Sequence, residues 1–187
     1  MALSDVGVLV LRVGVGGTIA AHGAQKLFGW FGGGGVAGTG QFFESVGFVP
    51  GPRNAQLAGL TEGAGGALMA LGLASGPAGA AVAGNMVVAS AVHYPAFFNT
   101  SGGLELPATY GLVGAVLGTV GPGRYSLDEV TGHALNKPWM TAVGLVSAVG
   151  AAAFMLRQRS RVLAARPAGP TETAVDGAQG GGSTDPS

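Results

Sequence analysis

The chain has 187 residues and no net charge, and only 10% of its residues are charged, against roughly 25% in an average soluble domain. With 48% hydrophobic residues, 37 glycines and a mean hydropathy of +0.45, it lacks the charge that a water-exposed surface needs. There is no cysteine and no basic stretch interleaved with aromatics, which excludes disulfides, thiolate metal sites and thiol redox chemistry and argues against nucleic acid as a partner.

A membrane-crossing helix needs about 20 mostly apolar residues, and five runs approach that length. The first covers residues 6–24 and carries Arg12 inside it. A cleaved signal peptide is the rival reading, but its basic residues should precede the apolar stretch, and Arg12 lies within it. Residues 25–55 follow, with Gly32-Gly33-Gly34-Gly35, Gln41-Phe42-Phe43-Glu44 and Pro50-Gly51-Pro52. These glycines and prolines break any continuous helix. The Phe pair among polar neighbours suits a short helix lying in the membrane interface.

The second run, residues 56–74, has Glu62 near its start, and a tight turn at Ser75-Gly76-Pro77 leads to the third, residues 77–98, with Asn85 inside and His93 near its end. After a short loop comes the fourth run, residues 106–120. A polar loop, residues 121–138, separates it from the fifth, residues 139–156. Arg157, Arg159, Arg161 and Arg166 come next, and beyond them Pro, Gly, Thr and Ser dominate. Such a composition buries too little to fold, so a disordered tail is expected.

Lys and Arg set the orientation of such a chain. If all five runs span and the N-terminus is outside, the inner side collects Lys26, Arg53 and the four tail arginines, leaving Arg124 and Lys137 outside. An outside N-terminus and a cytoplasmic C-terminus are therefore expected.

Charged groups within membrane segments are costly, so each needs a partner or a purpose. Alternating helix direction brings His22, Lys26, Glu62, His93 and Glu105 to one side of the membrane, with Arg12 deeper and Asn85 at a comparable depth. Arg12 and Lys26 are 14 residues apart, which places them within about 40° on one helix face. Glu62 is the natural counter-ion for either. Arg12, His22, Lys26, Glu62, Asn85, His93 and Glu105 are thus the candidate site residues, and helix-to-helix pairing is the most economical role for them. Two histidines in one leaflet can in principle hold a haem, but no spacing demands it. No metal site is expected, and no Ser-His-Asp order, HExxH or phosphate loop is present.

The combined order of several short motifs resembles the DoxX family of small bacterial membrane proteins. They are Leu11-Arg12-Val13-Gly14, the stretch from His22 to Gly29, and Phe42 to Phe48 followed by proline. Glu62-Gly63-Ala64-Gly65-Gly66 and the segment Gly121 to Asp128 continue the likeness. Where the family has Glu-Asn-Gly-Gly-Glu before its last helix, this chain has Asn99-Thr100-Ser101-Gly102-Gly103-Leu104-Glu105, without the first acid.

The resemblance implies an all-α membrane protein. Its core is a four-helix transmembrane bundle of DoxX type over residues 1–128. A loop and a fifth C-terminal transmembrane helix occupy residues 129–156, and a basic, then disordered cytoplasmic tail residues 157–187. It also implies a multi-pass protein of the bacterial inner membrane, linked to redox and oxidative-stress functions. The first functional expectation is a non-catalytic subunit that anchors or couples a redox or respiratory-type membrane assembly, in contact with the lipid bilayer and other redox subunits. Quinone is the one cofactor in view, with Arg12, His22 and Lys26 donating to its carbonyls and Glu62 relaying protons. The alternatives are a quinone-linked oxidoreductase subunit with a direct catalytic role and a small transporter.

Overall fold

The computed structural model describes residues 3–167, and among these there is no strand. The longest elements are α1 (Leu3–Phe28), α3 (Gly51–Leu71), α4 (Ser75–His93), α5 (Glu105–Val120) and α7 (Pro138–Ala164). Two shorter helices, α2 (Gly35–Ser45) and α6 (Leu127–Val130), lie between them. By length and composition α1, α4 and α7 can each cross a membrane. α1 packs along α3, α3 along α4, and α4 along both α5 and α7.

The ends of these helices follow from local chemistry. α1 carries Asp5 in its first turn and Lys26 in its last, the arrangement its macrodipole favours. The chain then turns at Gly29, which has a φ of 73°. The four-glycine stretch folds back so closely that a Cβ on Gly33 would lie 2.5 Å from the Gln25 carbonyl oxygen. The expected short helix around the Phe pair is α2. The prolines at positions 50 and 52 do not delay α3. Pro50 caps it and Pro52 sits in its first turn, where no backbone N–H is missed. α3 therefore begins at Gly51 rather than at residue 56, and Glu62 lies at its middle rather than near its start. It ends at Gly72, whose left-handed backbone (φ 64°) directs its N–H to Leu68 and Met69. α4 stops at His93, short of the expected residue 98, because Pro95 cannot continue a helix.

α7 runs on past Leu156 through Arg157, Arg159 and Arg161 to Ala164, so the first part of the expected tail is helical. The remainder of that tail, residues 168–187, lies outside the described residues. The division expected at residues 128 and 129 falls inside α6. Asp128 is fully buried and accepts from the N–H groups of Ala74 (2.8 Å) and Ser75 (3.0 Å) at the start of α4. Asn136 accepts from Gly76 N–H at 2.9 Å. The connection to α7 thus supplies the missing partners at the α4 N-terminus.

Small residues set the helix spacing, as expected where lipid tails compete with apolar side chains. A Cβ on Gly66 would lie 2.6 Å from the Gly16 carbonyl oxygen, and one on Gly23 would overlap the Gly63 backbone. α1 and α3 are therefore in backbone contact. Gly79 meets Gly118 in the same way, joining α4 to α5, and Gly84 meets Ala148, joining α4 to α7. Not every glycine of α1 is used this way: nothing lies within 4 Å of a Cβ on Gly14, and the Thr18 hydroxyl donates to the Gly14 carbonyl of its own helix at 2.8 Å. Ile19, Met69, Val82, Met86 and Leu117 fill the core between α1, α3, α4 and α5. Val10, Leu60, Val87, Leu112, Val146 and Phe154 are exposed. Large apolar side chains spread over the outside are what a bilayer-facing surface requires.

Candidate functional site: a polar group beside an apolar cavity

Glu62 is only 3% exposed, and both of its carboxylate oxygens are engaged. Lys26 donates to Oε2, and Asn85 Nδ2 donates to Oε1 at 2.9 Å. Three helices meet at this one carboxylate: α1 brings the cation, α3 the anion and α4 the amide. A lone carboxylate at this depth would carry a desolvation penalty of several kcal/mol; the pair and the amide offset it. The lysine ammonium has three N–H donors and asparagine has a carbonyl acceptor, so the group keeps hydrogen-bonding capacity beyond Glu62.

Arg12 stands apart from this group, and this corrects the expectation that it is an alternative partner for Glu62. Its guanidinium donates to the carbonyls of Ala70 and Tyr125, and it is 3% exposed. Ala70 lies in the last turn of α3, where unpaired carbonyls and the helix dipole favour a cation. From Glu62 to Ala70 the helix rises about 12 Å. Arg12 and Lys26 do share a face, since both reach α3. Asn85 belongs with Lys26 and Glu62, not with Arg12.

The other candidates do not bond to this group. His22 Nδ1 lies 3.0 Å from Gln25 Oε1, and its ring is 6.0 Å from that of Tyr110 on α5. His93 Nδ1 donates to the Gly102 carbonyl at 2.6 Å. Glu105 Oε2 accepts from Asn99 N–H at 3.0 Å, which makes it a brace for the loop before α5.

Lys26, Glu62, Asn85 and His93 line a cavity of about 840 Å³, within the range of roughly 300–1,000 Å³ that encloses a drug-sized ligand. Its floor is the face of α4 that includes Ala81, Val88 and Val92, and α3 and α7 form its sides. Phe42 and Phe43 of α2, with Phe48, lie at one end. Arg159 of α7 is centred 5.8 Å over the Phe48 ring and donates to the Val46 carbonyl at 2.9 Å. α7 and the phenylalanines are the parts of this site that reading the sequence missed. The signal for α7 is its run of small residues, Gly144, Ala148 and Ala152, one helical turn apart. Among the described residues, no three His, Asp or Glu side chains are grouped to hold a metal ion.

Residues 7–95 match the family model DoxX. No curated protein and no solved structure matches the chain. The matched segment runs from within α1 through α4 and includes Arg12, His22, Lys26, Glu62, Asn85 and His93. α5 and α7 lie beyond it. A DoxX domain therefore covers residues 7–95, and with the apolar helices it marks the chain as a membrane protein.

Proposed function

We propose that this chain is a non-catalytic subunit of the bacterial inner membrane that couples a redox assembly, with a quinone held beside Lys26, Glu62 and Asn85. α1, α3, α4, α5 and α7 cross the bilayer in this reading, with the N-terminus outside and the end of α7 in the cytoplasm. The observation that carries it is the buried Lys26–Glu62–Asn85 group on the wall of a large, mostly apolar cavity. A quinone needs an apolar surround for its tail and a few fixed donors for its carbonyls, and ligand pockets are built from that combination. Lys26 and Asn85 offer the donors, and Glu62 holds both in place. The cysteine-free sequence favours a supporting role over thiol-based electron transfer by this chain itself.

The test is to purify the full chain from its membranes in mild detergent, extract it with organic solvent and quantify quinone per chain. Wild type should carry about one, and Glu62→Ala should lower occupancy on the order of tenfold, because it frees the donors from their fixed positions. Redox subunits should co-purify. Quinone-free protein with no redox partner would overturn the proposal.

A further inference from the structure

The face of α4 that floors the cavity lies between its contact with α3 and its contact with α7. α3 meets α4 at Val82, beside Gly65, and at Asn85, beside Glu62. α7 meets α4 at Pro77, Ala80 and Gly84, through Gly144 and Ala148. On a helix of 3.6 residues per turn these two contacts leave a strip between them, and that strip is Ala81, Val88 and Val92. Ala81 is exposed, as are Leu57 on the α3 side and Ser147 and Ala151 on the α7 side, yet all four line the cavity. The cavity is therefore open sideways, between α3 and α7. Without α7 the strip would be an ordinary lipid-facing surface.

The two ends of the cavity differ. Towards α2 it presents Lys26, Thr39, Asn54, Glu62, Asn85 and His93 among the rings of Phe42, Phe43 and Phe48. Towards the start of α4 it presents small and apolar groups: Pro77, Ala81, Gly144 and Ala148. From Pro77 to His93 the floor is about 24 Å long. Among the described lining residues the charged side chains are Lys26 and Glu62, which neutralise each other, and titratable His93. A phosphate headgroup finds no spare cation among these lining residues, and Arg159 behind Phe48 already donates to the Val46 carbonyl; an uncharged ring with hydrogen-bonding oxygens finds both aromatic walls and donors.

We infer that α7 is a partition that turns one side of the DoxX segment into a laterally open binding groove. The groove takes a single-tailed membrane molecule with an uncharged hydrogen-bonding ring, entering between α3 and α7. Its ring lies at the α2 end and its tail along Ala81 and Ala148. The nature of the ring rests on the quinone reading above; the groove, the side entry and the preference for an uncharged head do not.

The experiment uses the full chain in nanodiscs with three probes: a decyl-tailed benzoquinone, monoolein and phosphatidylglycerol. Bound probe is counted by native mass spectrometry for wild type, Ala151→Phe and Ser147→Phe. Both variants enlarge exposed residues that line the cavity, and a circular dichroism melt checks that each still folds. Saturable binding of an uncharged probe that Ala151→Phe and Ser147→Phe each weaken at least tenfold is the expected result. Monoolein binding without benzoquinone binding would retain the groove and overturn the quinone reading. Benzoquinone binding that neither α7 variant changes would overturn the groove and leave the quinone reading standing. Preferential uptake of phosphatidylglycerol, or no saturable binding of any probe, would overturn the inference.

Discussion

Lys26 in the last turn of α1 donates to Glu62 at the middle of α3, and Asn85 of α4 holds the other oxygen of the same carboxylate. The pair joins helices that already touch through glycine, so a charge interaction lies at a point where backbone packing fixes the geometry. Replacing Lys26 by Met should leave Glu62 buried without its counter-charge and cost about 3–5 kcal/mol. The double replacement Lys26→Met with Glu62→Gln should recover most of that loss. Denaturant unfolding of the detergent-solubilised chain checks both, and a double variant no more stable than Lys26→Met alone contradicts the pairing.

Neighbouring glycines on α1 give a sharper contrast. Gly16 faces α3, where a Cβ would lie 2.7 Å from the Ala70 nitrogen, while a Cβ on Gly17 meets nothing within 4 Å. Gly16→Ala should cost about 1–3 kcal/mol through overpacking. Gly17→Ala should be neutral or add up to about 1 kcal/mol from helix propensity. Thermal melting of the two variants side by side decides it.

Asp128 caps α4 from a helix that lies outside the family match. Asp128→Ala should remove both acceptors and cost about 2 kcal/mol. Hydrogen exchange should show the loss first at the N–H groups of Ala74 and Ser75. Uniform exchange across the chain, with no local change there, would argue against the cap.

Arg12 bridges the end of α3 and the loop at Tyr125 with two separate nitrogens. A lysine carries one compact ammonium in place of that planar fork. Arg12→Lys should keep one contact and lose the other, for a cost of about 1–2 kcal/mol. Protease nicking of the loop after α5 should rise several-fold; unchanged nicking would mean that Tyr125 does not depend on Arg12.

The chain has no cysteine, so single introduced thiols can report its orientation. With the N-terminus outside, Arg124→Cys should react with a membrane-impermeant maleimide added to intact cells. Arg161→Cys should react only after the cells are opened. The reverse pattern would invert the topology that the Lys and Arg distribution favours.

Much of the architecture was legible in the chain. Low charge and apolar runs near 20 residues mark membrane helices, and α1, α4 and α7 stand where such runs are. The 14-residue spacing places Arg12 and Lys26 on one face, and both do reach α3. The sequence by itself left Glu62 with two possible counter-ions. The choice belongs to the tertiary structure, because the register of two antiparallel helices is decided where their backbones can approach. Gly16 against Gly66, and Gly23 against Gly63, slide α1 along α3 until Lys26 is level with Glu62 and Arg12 with Ala70. The start of α3 was obscured for a local reason, since proline breaks a helix interior but suits a first turn. The cavity was hidden for a different one. A groove is the space that α3, α4 and α7 leave between them, and no single helix carries its pattern. Only the packing of α7 on Ala80 and Gly84 sets Ala148 and Ala151 opposite the polar group that the apolar runs had already announced.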